Sequence, residues 1–131
     1  MAQTLQKIYS DLDLTFQINP ITKDVSLSYD DNAVIRSVRN LILTNYYERL
    51  FQPDLGGNVE AHLFELATPT TTASLETEIT DVINNFEPRV TLISVNVVGI
   101  EDKNSYYIEL SFFIGNNTQP TNINLLLQRT R

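Results

Sequence analysis

The chain has 131 residues, 42% hydrophobic and 19% charged, with a formal net charge of -7 and no cysteine. This is ordinary globular composition on the scale of one domain, enough to bury about two thirds of the unfolded surface. It excludes a disulfide framework and thiolate chemistry, and an acidic chain repels phosphate backbones. No apolar run reaches the ~18 residues of a membrane helix, and the stretch after Met1 has no secretory apolar core. The expectation is a protein made in the cytoplasm, with no nucleic-acid and no membrane partner. Charge is segregated. From Leu50 to Pro88 there is no Lys or Arg, while Asp54, Glu60, Glu65, Glu76, Glu78, Asp81 and Glu87 fall there. That span is either a solvated helix face or a face for a basic partner.

Residues 1–31 read as extended. Leu14 to Ile18 and Val25 to Tyr29 alternate apolar and polar, as half-buried strands do, with Asn19-Pro20 breaking between them. A helix capped by Asp31 or Asn32 follows, with Val34, Ile35, Val38, Leu41 and Ile42 as its apolar stripe. Tyr46 to Gly57 is a loop. A short helix is expected over 58–66, with Val59, Leu63 and Leu66 on one face. Thr68-Pro69 then opens a helix carrying Leu75, Ile79, Val82, Ile83 and Phe86 on one face. It must stop by Glu87, because Pro88 disfavours helical geometry in the residue before it.

After Pro88 the period changes to two. Ile93, Val95 and Val97 form one run. Tyr106, Ile108, Leu110, Phe112 and Ile114 form the second. Ile123, Leu125 and Leu127 form the third. Turns at Asp102-Lys103-Asn104 and Gly115-Asn116-Asn117 make this an antiparallel meander. The fold class is therefore α+β: N-terminal extended segments, then three helices packed on a C-terminal three-stranded meander. The chain reads as one domain over 1–131, with an extended segment 1–31, a helical segment 32–86 and a sheet 90–129.

The chemistry-bearing patterns are few. The lone histidine, His62, sits among carboxylates and reads as a surface residue. No G-x-S-x-G, P-loop or dinucleotide fingerprint occurs. Asp11-Leu12-Asp13 and Asp30-Asp31-Asn32 lack the central glycine and distal glutamate of a calcium loop. A glycosidase needs a carboxylic acid of raised pKa. The best-placed carboxylates, Glu48 and Glu87, have arginines one and two residues on, and a neighbouring cation lowers the pKa. No catalytic, cofactor-binding or metal residue is assigned.

Three stretches carry a resemblance. They are Asn32 to Leu41; Glu48-Arg49-Leu50-Phe51-Gln52-Pro53-Asp54-Leu55-Gly56 running on to Leu63-Phe64-Glu65; and Phe86-Glu87-Pro88-Arg89-Val90 with Val95-Asn96-Val97. In order and spacing they resemble the baseplate wedge and sheath-initiator family of contractile-tail bacteriophages, whose type VI secretion counterpart is the small baseplate wedge subunit. The resemblance covers residues 5–100. It implies a fold similar to the polymerising domain of the sheath subunit, and a structural role in the virion's tail baseplate, assembled in the host cytoplasm. The implied partners are other wedge proteins and the tail sheath protein, with the tail tube or hub as a further contact. Some members are described as lysozyme-like, so the alternative is a peptidoglycan-degrading enzyme of the tail. One departure stands out. The family usually has glycine before the Glu-Arg pair, where this chain has Tyr46 and Tyr47, so a positive-φ turn is not expected there.

Two surfaces follow. In an extended chain residues two apart face one side, and proline stiffens the segment. Glu87 and Arg89 flanking Pro88 are thus either a local ion pair or a rigid charged prong, and the resemblance favours a wedge contact made by Glu87, Pro88 and Arg89 together with Glu48 and Arg49. The run Asn122-Ile123-Asn124-Leu125-Leu126-Leu127 has no internal charge or proline of the kind that blunts an exposed edge. From its pattern it is either a central strand covered on both sides or an open edge, and the resemblance favours contact with the sheath by β-augmentation.

Overall fold

The computed structural model describes residues 9–129. Their backbone contacts divide into two compact units, which meet in sequence between Arg36 and Ser37.

In the first unit, β1 (Ser10–Leu12) pairs antiparallel with β2 (Leu27–Tyr29), and an isolated bridge joins Ile18 to Val25. The strand expected over Leu14 to Ile18 does not form. Asp13 instead turns the chain: its carboxylate accepts the Thr15 N–H and hydroxyl, and Phe16 takes φ +52°. This is the local side-chain competition that makes Asp a turn former. Arg36 also pairs with the Asp13 carboxylate. The Thr15 hydrogen bonds and Arg36 outweigh partial desolvation and hold that carboxyl below its usual range.

The helix α1 (Asp30–Ile42) begins at Asp30, one residue earlier than expected. Asp30 and Asp31 place two carboxylates on its positive N-terminal end. Ala33, Val34, Val38 and Ile42 are buried as the stripe requires. The short helix is only α2 (Val59–His62), and Leu66 is 76% exposed rather than on the buried face. A third helix, α3 (Pro69–Phe86), starts as expected. The Thr68 hydroxyl accepts the Thr71 N–H at 3.3 Å, and Pro69 occupies the first helical position.

The strands β3 (Val90–Ile100), β4 (Ser105–Ile114) and β5 (Thr121–Gln128) form an antiparallel sheet in that order. In β4, Tyr106, Ile108, Leu110, Phe112 and Ile114 are all buried; in β5, Ile123, Leu125 and Leu127 are. Each contributes about 1.5–3 kcal/mol of apolar burial. The face expected for Ile93 is corrected. A register shift between Leu92 and Ser94 leaves Ile93 half-exposed, while Val97 stays buried. An inserted residue reverses the alternation on one side of it. The helix α3 packs against β3, where Gly99 leaves room for Ala67 and Tyr106.

Candidate functional site

The Glu87-Pro88-Arg89 motif folds back on itself. Pro88 ends α3, and Pro88 and Arg89 form a turn before β3. Arg89 Nε donates to Glu87 Oε1 at 2.6 Å and Nη2 to Oε2 at 2.9 Å, a two-pronged pair. Ser37 Oγ on α1 donates to Glu87 Oε2 at 2.6 Å. Glu87 is only 3% exposed, Arg89 is half-buried, and Pro88 is exposed. Burial pushes the Glu87 carboxyl up, but the Arg89 and Ser37 hydrogen bonds and the Arg89 charge outweigh it and hold it below its ordinary value. The geometry is that of the local ion pair, with Pro88 and part of Arg89 left on the surface. Sequence reasoning missed Ser37, although its signal was present. It falls at i+3 from Val34 and one residue before Val38, a polar residue set into an apolar helix stripe.

Glu48 and Arg49 part company. Glu48 Oε2 accepts the Asn45 N–H at 2.8 Å, so its carboxylate serves the loop base. Arg49 is exposed, and its side chain forms no ion pair among the described residues. The expectation against a positive-φ turn here is overturned: Tyr47 has φ +64° and Phe51 φ +70°. The loop is closed at its base, where Gly56 (φ +104°) brings the chain against Thr44 and Gly57 N–H donates to Thr44 O at 3.1 Å. Within the closed loop Tyr47 N–H donates to Pro53 O at 2.9 Å, and its left-handed backbone is adopted despite its Cβ.

The sheet has two unlike edges. On β3 the Val97 N–H donates to Glu76 Oε1 of α3 at 3.1 Å, and the bulge at Leu92–Ser94 disturbs the rest of that edge. On β5 the pairing with β4 is regular from Thr121 to Gln128, and the far side has no backbone partner among the described residues. Asn122 and Asn124 are exposed, as is Leu126, while Ile123, Leu125 and Leu127 are buried. The Asn122 side chain accepts the Ser111 hydroxyl at 2.7 Å. A groove of about 270 Å³ lies beside the end of β5, walled by Ile42, Leu43, Val59, Leu63, Leu126 and Leu127.

His62 is half-buried rather than fully on the surface. Its side chain is 16% exposed, with Nε2 2.9 Å from Glu78 Oε2 and Nδ1 3.3 Å from Glu65 Oε2. The other Glu78 oxygen accepts the Asn58 N–H, so Glu78 braces α2 against α3. A cavity of about 400 Å³ beside this brace is lined by Tyr46, His62, Glu78, Asp81 and Phe86 among others. Its Glu78 and Asp81 both come from α3, rather than facing each other across a cleft. Among the described residues there is no group of three or more His, Asp or Glu side chains placed to hold a metal. No described helix is long and apolar enough to cross a membrane.

The described residues thus form an α+β domain with a braced ion pair at a helix end and one regular sheet edge. The sequence profile of the family described as baseplate wedge protein gp25 matches residues 28–119. Baseplate wedge protein gp25 of Enterobacteria phage T4 is 32% identical over 113 residues, covering 86% of this chain and 85% of that protein. The chain belongs to this baseplate wedge family. A crystal structure described as a tail lysozyme of Geobacter sulfurreducens matches with TM-score 0.71 at 22% identity, covering 82% of this chain and 97% of the other. A chain of the anti-feeding prophage baseplate matches with TM-score 0.65 at 21% identity, covering 92% of this chain and 85% of the other. At those identities the likeness to the solved structures is one of fold.

Proposed function

We propose that this member of the baseplate wedge family is a non-enzymatic wedge subunit that templates the first ring of tail sheath by strand addition to β5. The observation that carries the reading is the contrast between the two sheet edges. The β3 edge is bulged and capped by Glu76, whereas the β5 edge is regular, free of inward charge and without a backbone partner among the described residues. Natural sheets blunt the edges they do not use. An open edge supplies backbone hydrogen bonds to an added strand, and Asn122, Asn124 and Leu126 offer it side-chain contacts. The wedge-facing surface of this reading comprises Arg49, Pro88 and the exposed part of Arg89. Glu48 and Glu87 hold those residues in place rather than meeting the partner. Tail tube or hub is a further neighbour, and assembly takes place in the host cytoplasm.

The non-enzymatic part of the reading is supported by the fate of the carboxylates. Glu87 is neutralised by Arg89, Glu48 caps a loop, and Glu78 is shared between His62 and the Asn58 amide. A general acid needs the opposite setting, an apolar pocket that raises its pKa.

The test is Asn124→Pro, which removes a backbone donor from β5. Tails built with a folded Asn124→Pro chain are expected to form baseplates and tubes that stay unsheathed in electron micrographs. Normally sheathed tails would eliminate β5 as the template.

A further inference from the structure

The loop over 45–57 is not slack. Tyr46 N–H donates to Gly57 O at 3.1 Å, Tyr47 N–H to Pro53 O at 2.9 Å, and Gln52 N–H to Arg49 O at 3.3 Å. Asn45 takes the Glu48 carboxylate on its amide and gives its side-chain NH₂ to Glu60. On this fixed base Tyr47 and Phe51 both occupy the left-handed region that disfavours residues bearing a Cβ. Neither is compensated by packing of its own ring. Tyr47 is 83% exposed, Leu50 87% and Phe51 100%. Strained backbone that is held by its surroundings, and that presents large side chains to solvent, points to use outside the chain. Arg49 stands among them with no ion pair among the described residues.

We propose that Tyr47, Leu50 and Phe51 form a preformed docking prong that inserts into an apolar pocket on another tail protein, with Arg49 pairing to a carboxylate at that pocket's rim. Aromatic residues and arginine are the side chains that dominate interface energies, and a loop already locked in its bound form loses little entropy on docking. The occupant is a protein pocket rather than a lipid surface. The chain carries a net charge of -7, and the same loop holds Glu48 and Asp54, which an anionic headgroup layer would repel. The inference rests on the reading of the chain as a wedge subunit and names the surface through which it joins the wedge. It is independent of β5.

The chain has no cysteine, so Q52C places a single thiol beside Phe51 without removing an anchor. In purified tails that thiol is expected to resist a maleimide reagent until the tails are denatured, while in the free chain it reacts at once. F51G and Y47G relieve the left-handed positions, so each free variant is expected to melt at or above the wild-type temperature. Yet their incorporation into tails should fall about 30-fold, the loss of an interface anchor. A Q52C thiol as reactive in intact tails as in the free chain would overturn the proposal. So would F51G incorporated at wild-type level, or wild-type chain binding phosphatidylglycerol vesicles through Phe51. The sheath reading fails separately: sheathed tails from Asn124→Pro would sink it and leave the protection of Q52C intact.

Discussion

Ser37 Oγ and Glu87 Oε2, fifty positions apart in sequence, are joined by a 2.6 Å hydrogen bond that ties α1 to the end of α3. Arg89 closes the same carboxylate from its other side. The three residues form one hydrogen-bonded unit around the buried Glu87 carboxylate, and that determines how substitutions there behave. Arg89→Ala leaves Glu87 buried without its cation and is expected to cost ~2–4 kcal/mol of stability, with Arg89→Lys costing less because charge survives without the second prong. Thermal melting checks this. A melting temperature unchanged in Arg89→Ala, with wedge binding lost, would make the arginine a contact residue and not a brace.

The same carboxylate sets a pH dependence. Its folded pKa lies below the ordinary glutamate value of 4.5, so the unfolded chain binds the proton more readily. Its contribution is therefore complete above that value and is lost as pH falls through the lower, folded pKa. Denaturant midpoints of the wild type and Glu87→Gln are expected to differ near neutrality and to converge in acid. A gap that stays constant into acid would mean that the charge of Glu87 does not stabilise the fold.

At the loop base, Gly56 has φ +104°, and a Cβ there would stand 2.3 Å from the Thr44 carbonyl oxygen. Gly56→Ala is expected to cost at least ~2 kcal/mol, since both the dihedral and the space forbid it. Equal urea midpoints for Gly56→Ala and wild type would show that the base of the loop opens freely.

Peptidoglycan turnover separates the structural reading from the enzymatic one. Purified chain is expected to clear no cell-wall suspension, so Glu48→Gln, Glu65→Gln and His62→Ala change nothing measurable. Clearing by the wild type that vanishes with a single carboxylate substitution would establish a tail lysozyme instead.

The sequence by itself determined the α+β class, the α3 boundaries, the alternating runs of β4 and β5, and the family. Those follow from local rules. A Thr-Pro start, a proline stop and a period of two are written within a few residues of the element they specify. The tertiary structure brought Ser37 to the paired Glu87 and Arg89, because Ser37 lies on a helix far away in sequence. It decided that Tyr47 takes a left-handed conformation, in a loop whose base closes at Gly56 on Thr44. It also decided which sheet edge lacks a backbone partner among the described residues. The phase of β3 slips at the Leu92–Ser94 bulge, and Glu76 reaches its edge from α3. The identity of an edge depends on what lies beside it in space, and pairing with a distant element is not encoded in the pattern of the strand itself.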